Sequence, residues 1–293
     1  MDSRFIRTVD QRYDEMPKTN PYFSKLSQLY EASGARYRVP LTVAILSVAF
    51  QEHPLWIGSY VKVHLYGRFT LDVLGAGLVL SSVLAAWART SRLAVGLFIA
   101  IAALAILPDW AMLANHTYLA LWSIPIALLF KDWWTSDLYA YYLRITLGIV
   151  MLAAFSQKIL AGSYVDGSFI AWLSTGGSTT ERLFSFLCDG TSTTPCIYYR
   201  AISIFILVWQ LAVGILLLLG LNSLVFLAIE IGFLLGAGVY ADEMNFQILN
   251  IALLCIVFRF GMPLWLLVGS VILLAVDVYR LSNLLNMVLS YAA

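Results

Sequence analysis

The chain has 293 residues, 61% of them hydrophobic and 12% charged, with a formal net charge of +1. A soluble domain typically carries roughly 25% charged residues, and one of this size cannot hide so much apolar surface, so lipid must be the main solvent. No long acidic or basic block is present, which excludes nucleic acid as a partner.

Residues 1–36, from Met1 to Arg36, are polar and mixed in charge. They lack the apolar core and small-residue cleavage site of a signal peptide, so a retained, cytoplasmic N-terminal segment is expected. Beyond it, each uncharged apolar run of about 20 residues is long enough to cross a ~30 Å hydrocarbon layer as a helix. A weak first run lies near 39–57. It contains Pro40 and the sequence Gln51-Glu52-His53-Pro54, which suit either a crossing or a short re-entrant segment. Clear runs follow at roughly 70–88, 92–108, 116–130, 138–160, 200–220, 222–241, 246–259 and 263–280. The pattern predicts an all-α polytopic transmembrane helix bundle of eight or nine spans, forming one domain over 37–293.

Lys and Arg gather in the N-terminal segment (Arg4, Arg7, Arg12, Lys18, Lys25, Arg36, Arg38) and in short loops carrying Arg89, Arg92, Lys131 and Arg259. The positive-inside rule puts these on the cytoplasmic side, as expected for a bacterial inner-membrane protein. The connections Pro108–Ala114, Ala161–Tyr199 and Ala241–Asn245 are poor in Lys and Arg and are expected outside. The longest, an extracytoplasmic loop at 161–199, holds Cys188 and Cys196, a candidate disulfide in an oxidising compartment. Cys255 lies within an apolar run.

An ionisable residue inside a span costs about 2.5–3.5 kcal/mol on insertion scales, so each needs a reason. Arg144, Lys158, Glu230 and Asp277 are the informative ones. Arg144 and Lys158 fall 14 residues apart on one predicted helix, close to one face and about 21 Å apart along the axis. Glu230 lies in mid-span and requires a partner such as Arg144 or Lys158, or a proton. Each residue also has a plain structural reading: Lys158 can snorkel to the interface, Arg144 and Glu230 can pair as bundle glue, and Asp277 can rest at a helix end. His116 opens the 116–130 span, where histidine commonly serves as an interfacial hydrogen-bonder. His53, His64 and His116 are scattered with no ligand spacing, so no metal is expected. Phosphate-binding glycine loops and Ser-His-Asp signatures are absent.

The run Asn115-His116-Thr117-Tyr118-Leu119 resembles the Asn-His-x-Tyr-Leu element of the vitamin K-dependent gamma-carboxylase family, whose bacterial relatives are the horizontally transferred transmembrane (HTTM) proteins. Downstream, Ala154-Phe155-Ser156-Gln157-Lys158-Ile159-Leu160, with Tyr164 and Gly167 beyond, is similar to that family's Ala-Gly-x-x-Lys-Leu element. The order and spacing agree, over an HTTM-like core of about 70–260. Phe155 replaces a glycine, Ile159 intervenes before Leu160, and Tyr164 replaces a tryptophan. The large luminal domain of the animal carboxylase has no counterpart.

The resemblance implies a site at the outer face. Lys158 would act as base toward a reduced, vitamin K-like quinone, with His116 supporting the reacting centre and Asn115 orienting it. Low dielectric disfavours an ammonium, which makes a neutral amine accessible, and a histidine can donate to developing negative charge. Arg144, Glu230, Tyr118 and Trp110 are the expected substrate contacts, with Phe155, Tyr164 and Trp172 adding aromatic surface near that depth.

Three functions stay open at this point. The first is an HTTM-type, carboxylase-like or quinol-oxidising enzyme, acting on a quinol or a peptide at the outer face. The second is a non-catalytic membrane subunit or accessory factor docked to another membrane or secreted protein. The third is a transporter built around Arg144, Glu230 and Lys158, although no inverted repeat is visible.

Overall fold

Backbone N–H and C=O groups in hydrocarbon must be satisfied within the protein, and a helix does this inside each segment. A computed structural model describes residues 28, 30, 34–58, 60–107, 115–175, 188, 196–241 and 243–277, without the side chains of 53–62, 115, 175 and 240. It is 86% helix with no strand among the described residues. Most of the predicted N-terminal segment, Trp110 and residues 278–293 lie outside the described residues.

In chain order the helices are α1 (Val39–Gly58), α2 (Tyr60–Tyr66), α3 (Arg68–Ala85) and α4 (Ser91–Ile101), the last continued by a π-helical turn at Ala102–Ile106. Then come α5 (Asn115–Ser123), α6 (Asp137–Ala161), α7 (Ser163–Asp166), α8 (Ser168–Thr175), α9 (Ile197–Leu218), α10 (Leu224–Ala241) and α11 (Met244–Val257). The last is α12 (Leu264–Asp277). By length and composition, α3, α6 and α9 can each cross a membrane, and shorter apolar helices fill the other predicted spans.

The weak first run forms one continuous helix. Pro40 sits in the first turn of α1, where a missing N–H is harmless, and α1 runs on through Pro54 to Gly58. Pro125 instead ends α5 and starts a 3-10 turn at Pro125–Leu129. α6 begins at Ser136, whose hydroxyl accepts from Tyr139 N–H at 3.2 Å. It ends at Gly162, with φ 75°.

The centre of the bundle is α11, where Asn245, Gln247 and nearly every apolar residue from Met244 to Ile256 are buried. A helix apolar all round is a core helix, and α1, α6 and α10 pack against it. At the periphery Leu80, Ile149, Phe205, Val208, Val225 and Ile229 are exposed. Only lipid makes such a surface stable. α6 and α9 approach most closely at Gly148 and Gly214: a Cβ on either would lie 3.2 Å from the other's carbonyl oxygen. Cys188 and Cys196 form a disulfide, Cα atoms 6.4 Å apart, packed on a small apolar cluster of Ile170, Ala171 and Tyr199.

Cross-links mark two ends. At one, Arg38 donates to the Ala86 carbonyl, Arg92 to that of Leu128, and Arg259 to that of Thr135, while Met262 N–H donates to Arg36. At the other, α1 bonds α5, α6 bonds α9, and α11 bonds α12.

Candidate functional site

The end opposite the Arg38, Arg92 and Arg259 cross-links gathers the polar side chains that the apolar runs carry. Lys158 lies in the last turn of α6, half-buried, and its Nζ donates to Gln210 Oε1 on α9 at 2.9 Å. Gly162 and Gly167, both with positive φ, turn the chain so that α7 folds back over α6. Tyr164 thereby covers the ammonium, 5.1 Å from ring centroid to Nζ, and stacks on Phe169 at 4.3 Å. Gly167 is held by contact: a Cβ there would meet the Arg200 backbone nitrogen at 2.7 Å.

Glu243 precedes α11 and faces the same group. Glu243 is exposed, yet the crowding of neighbouring groups around its carboxyl lifts it above the ordinary carboxylate range, with the Lys158 ammonium pulling the other way. Burial, reinforced by the Glu243 charge, pushes the Tyr164 phenol up.

One turn further along α11, Phe246 packs against His116 of α5, ring centroids 5.6 Å apart. Residues three apart lie on one helix face, so the start of α11 meets Lys158 through Glu243 and His116 through Phe246. His116 Nε2 is buried with no hydrogen-bond partner, and so is Asn245 Oδ1 in the same turn. Beside His116, Thr117 Oγ1 donates to Glu52 Oε1 at 2.5 Å; the two residues are 1% and 3% exposed. Asn245 N–H donates to Asp277 Oδ2 at 3.2 Å.

The structure separates other predicted site residues from this cluster. Glu230 is 1% exposed in mid-α10, where its carboxylate accepts from Trp209 Nε1 at 2.7 Å. Arg144 lies 14 residues before Lys158, at the arginine-rich end, its guanidinium 5.2 Å from the Tyr141 ring centroid. Glu230 and Arg144 thus have different partners. Tyr118 is half-buried on α5, and Asn115 opens that helix, its side chain outside the described residues.

Gln210, Glu243, Asn245 and Thr117 were not predicted as site residues. Gln210 had one legible signal, a lone carboxamide in a 22-residue apolar helix. No family model matches the chain, and no curated protein or solved structure matches it.

Proposed function

We propose that this chain is an HTTM-like integral membrane protein, related in plan to the vitamin K-dependent gamma-carboxylases, with nine crossings and a proton-transfer site at its outer face. In this reading α1, α3, α4, α5, α6, α9, α10, α11 and α12 alternate between the two ends marked by the cross-links, and the arginine-rich end is cytoplasmic. The observation that carries the functional reading is that the start of α11 meets both Lys158, through Glu243, and His116, through Phe246, with the buried Nε2 left unpartnered.

A reduced quinone would supply a weakly acidic hydroxyl and two electrons for an oxidant such as dioxygen. Lys158 fits the base: its acceptor is a neutral amide, so no directly bonded carboxylate fixes the proton on Nζ. In its neutral form Nζ takes the hydroxyl proton; as it does so, His116 Nε2, in the tautomer that carries hydrogen, donates toward the developing negative charge. Tyr164 and Phe169 form the aromatic wall beside the amine.

The test uses purified protein in lipid nanodiscs with a reduced naphthoquinone in air. Oxidation should fall about 100-fold or more in Lys158→Ala, the scale of a lost general base, with the variant expressed and folded normally. Failure of the native protein to bind or oxidise any quinol removes the mechanism. The disulfide-pinned loop favours a second reading as a docking subunit for another membrane or secreted protein. A stoichiometric partner retained on gentle solubilisation of quinol-inactive protein would support that reading instead.

A further inference from the structure

At the end of the bundle opposite Lys158, a cavity of about 290 Å³ opens between the start of α6, the α9–α10 turn and the end of α11. Its polar lining is Asp137, Tyr141, Arg144, Asn222 and Arg259. The charges do not balance. Arg259 is paired with Asp137 and also donates to the Thr135 carbonyl, which leaves Arg144 without a carboxylate in the cavity wall.

The Arg144 guanidinium rests against the Tyr141 ring, and its Nε is buried with no hydrogen-bond partner. Gly220, at φ 80°, supplies the space: a Cβ there would come within 3.3 Å of Arg144 Nη1. A guanidinium left with unused donors beside an open cavity matches the oxygens of a phosphate group. The surrounding arginines place the cavity where an anionic leaflet would meet the protein.

We propose that this cavity binds a phosphate-bearing anion, with Arg144 as the principal contact and Asn222 at the rim. Both an anionic phospholipid headgroup and free phosphate carry this chemistry. The site is independent of the Lys158 cluster.

Native mass spectrometry of the purified full chain tests it, with phosphatidylglycerol, phosphatidylcholine and inorganic phosphate as separate probes. Phosphatidylglycerol should be retained at least tenfold more strongly than phosphatidylcholine, and Arg144→Gln should abolish the difference. Arg89→Gln, a charge loss at the same end outside the cavity lining, should preserve it. Arg144-dependent binding of inorganic phosphate would support the site with a soluble anion as its source; binding of the lipid alone would assign it to the headgroup. Should Arg144→Gln fail to fold, Asn222→Asp, which sets a negative charge at the exposed rim, must weaken retention in its place. The proposal is overturned if the native protein shows neither the lipid preference nor phosphate binding, or if the folded variant binds as the native protein does.

Discussion

The Lys158 ammonium donates to an amide oxygen, and a neutral acceptor orients an amine without holding its proton by charge. Gln210→Glu would put a carboxylate at that position. The ion pair would keep Lys158 protonated, so quinol oxidation should fall about tenfold or more near pH 7 with the fold intact; unchanged turnover would show that the lysine does not act as a base. Glu243 makes a second prediction, one of stability. Its carboxyl is raised in the folded chain above an ordinary value of 4.5, so the folded state holds the proton more tightly than the unfolded one. That contribution is fully present below the unfolded value and is lost as pH rises through the folded one. Thermal melts of Glu243→Gln in detergent should lose this part of the decline as pH rises above about 4.5, while native protein keeps it. Lys158 and His116 were legible in the sequence because a charged or titratable group in an apolar run is costly enough to stand out. Glu243 was not, since a carboxylate in a connecting loop costs nothing in a linear reading. Its importance comes only from the fold that brings the loop to α6.

At the scale of elements, the contact between α6 and α9 sets the distance from Lys158 to Gln210. Small residues let two membrane helices approach backbone to backbone. Added methyl groups at Gly148 would meet Leu218 Cδ2 at 2.8 Å and the Gly214 carbonyl at 3.2 Å. Gly148→Ala should therefore destabilise by about 1–3 kcal/mol, the range for overpacking, whereas Gly232→Ala, with open space around its position, should be near neutral. Thermal unfolding of the two variants side by side decides it, and equal melting would mean that the crossing tolerates separation. The helix pattern of α6 and α9 could be read from hydropathy alone, but their partnership could not, because glycine spacing does not say which helix lies opposite. The first run shows the converse. Pro54 and the polar group before it looked like an interruption, yet α1 continues, because Glu52 finds Thr117 in the interior and its polarity is absorbed there. α11 has 14 residues, about 21 Å of helix against a hydrocarbon layer of ~30 Å. At that length α11 lies at the centre of the bundle, surrounded by protein rather than lipid.

For the molecule as a whole, the proposed alternation of helices between the end cross-linked by Arg38, Arg92 and Arg259 and the Lys158 end makes an arithmetic prediction. Between Arg89 and Asp166 lie α4, α5 and α6, an odd number of crossings, so the two residues should face opposite sides of the membrane. Between Arg89 and Asn222 lie α4, α5, α6 and α9, an even number, so these two should share a side. All three residues are exposed, and the native cysteines give a quiet background, with Cys188 and Cys196 bonded to each other and Cys255 buried. Arg89→Cys, Asn222→Cys and Asp166→Cys, each carried alone, can be reacted with an impermeant maleimide in intact cells and in inverted vesicles. The positive-inside rule sets the sign. Asp166→Cys should label in intact cells, and the other two only in inverted vesicles. Labelling of Arg89→Cys and Asp166→Cys from the same side would break the alternation and, with it, the assignment of Lys158 to the outer face. Agreement of all three would fix α6 as a true crossing and place the Lys158 cluster and the Arg144 cavity on opposite faces, about 21 Å apart along that helix.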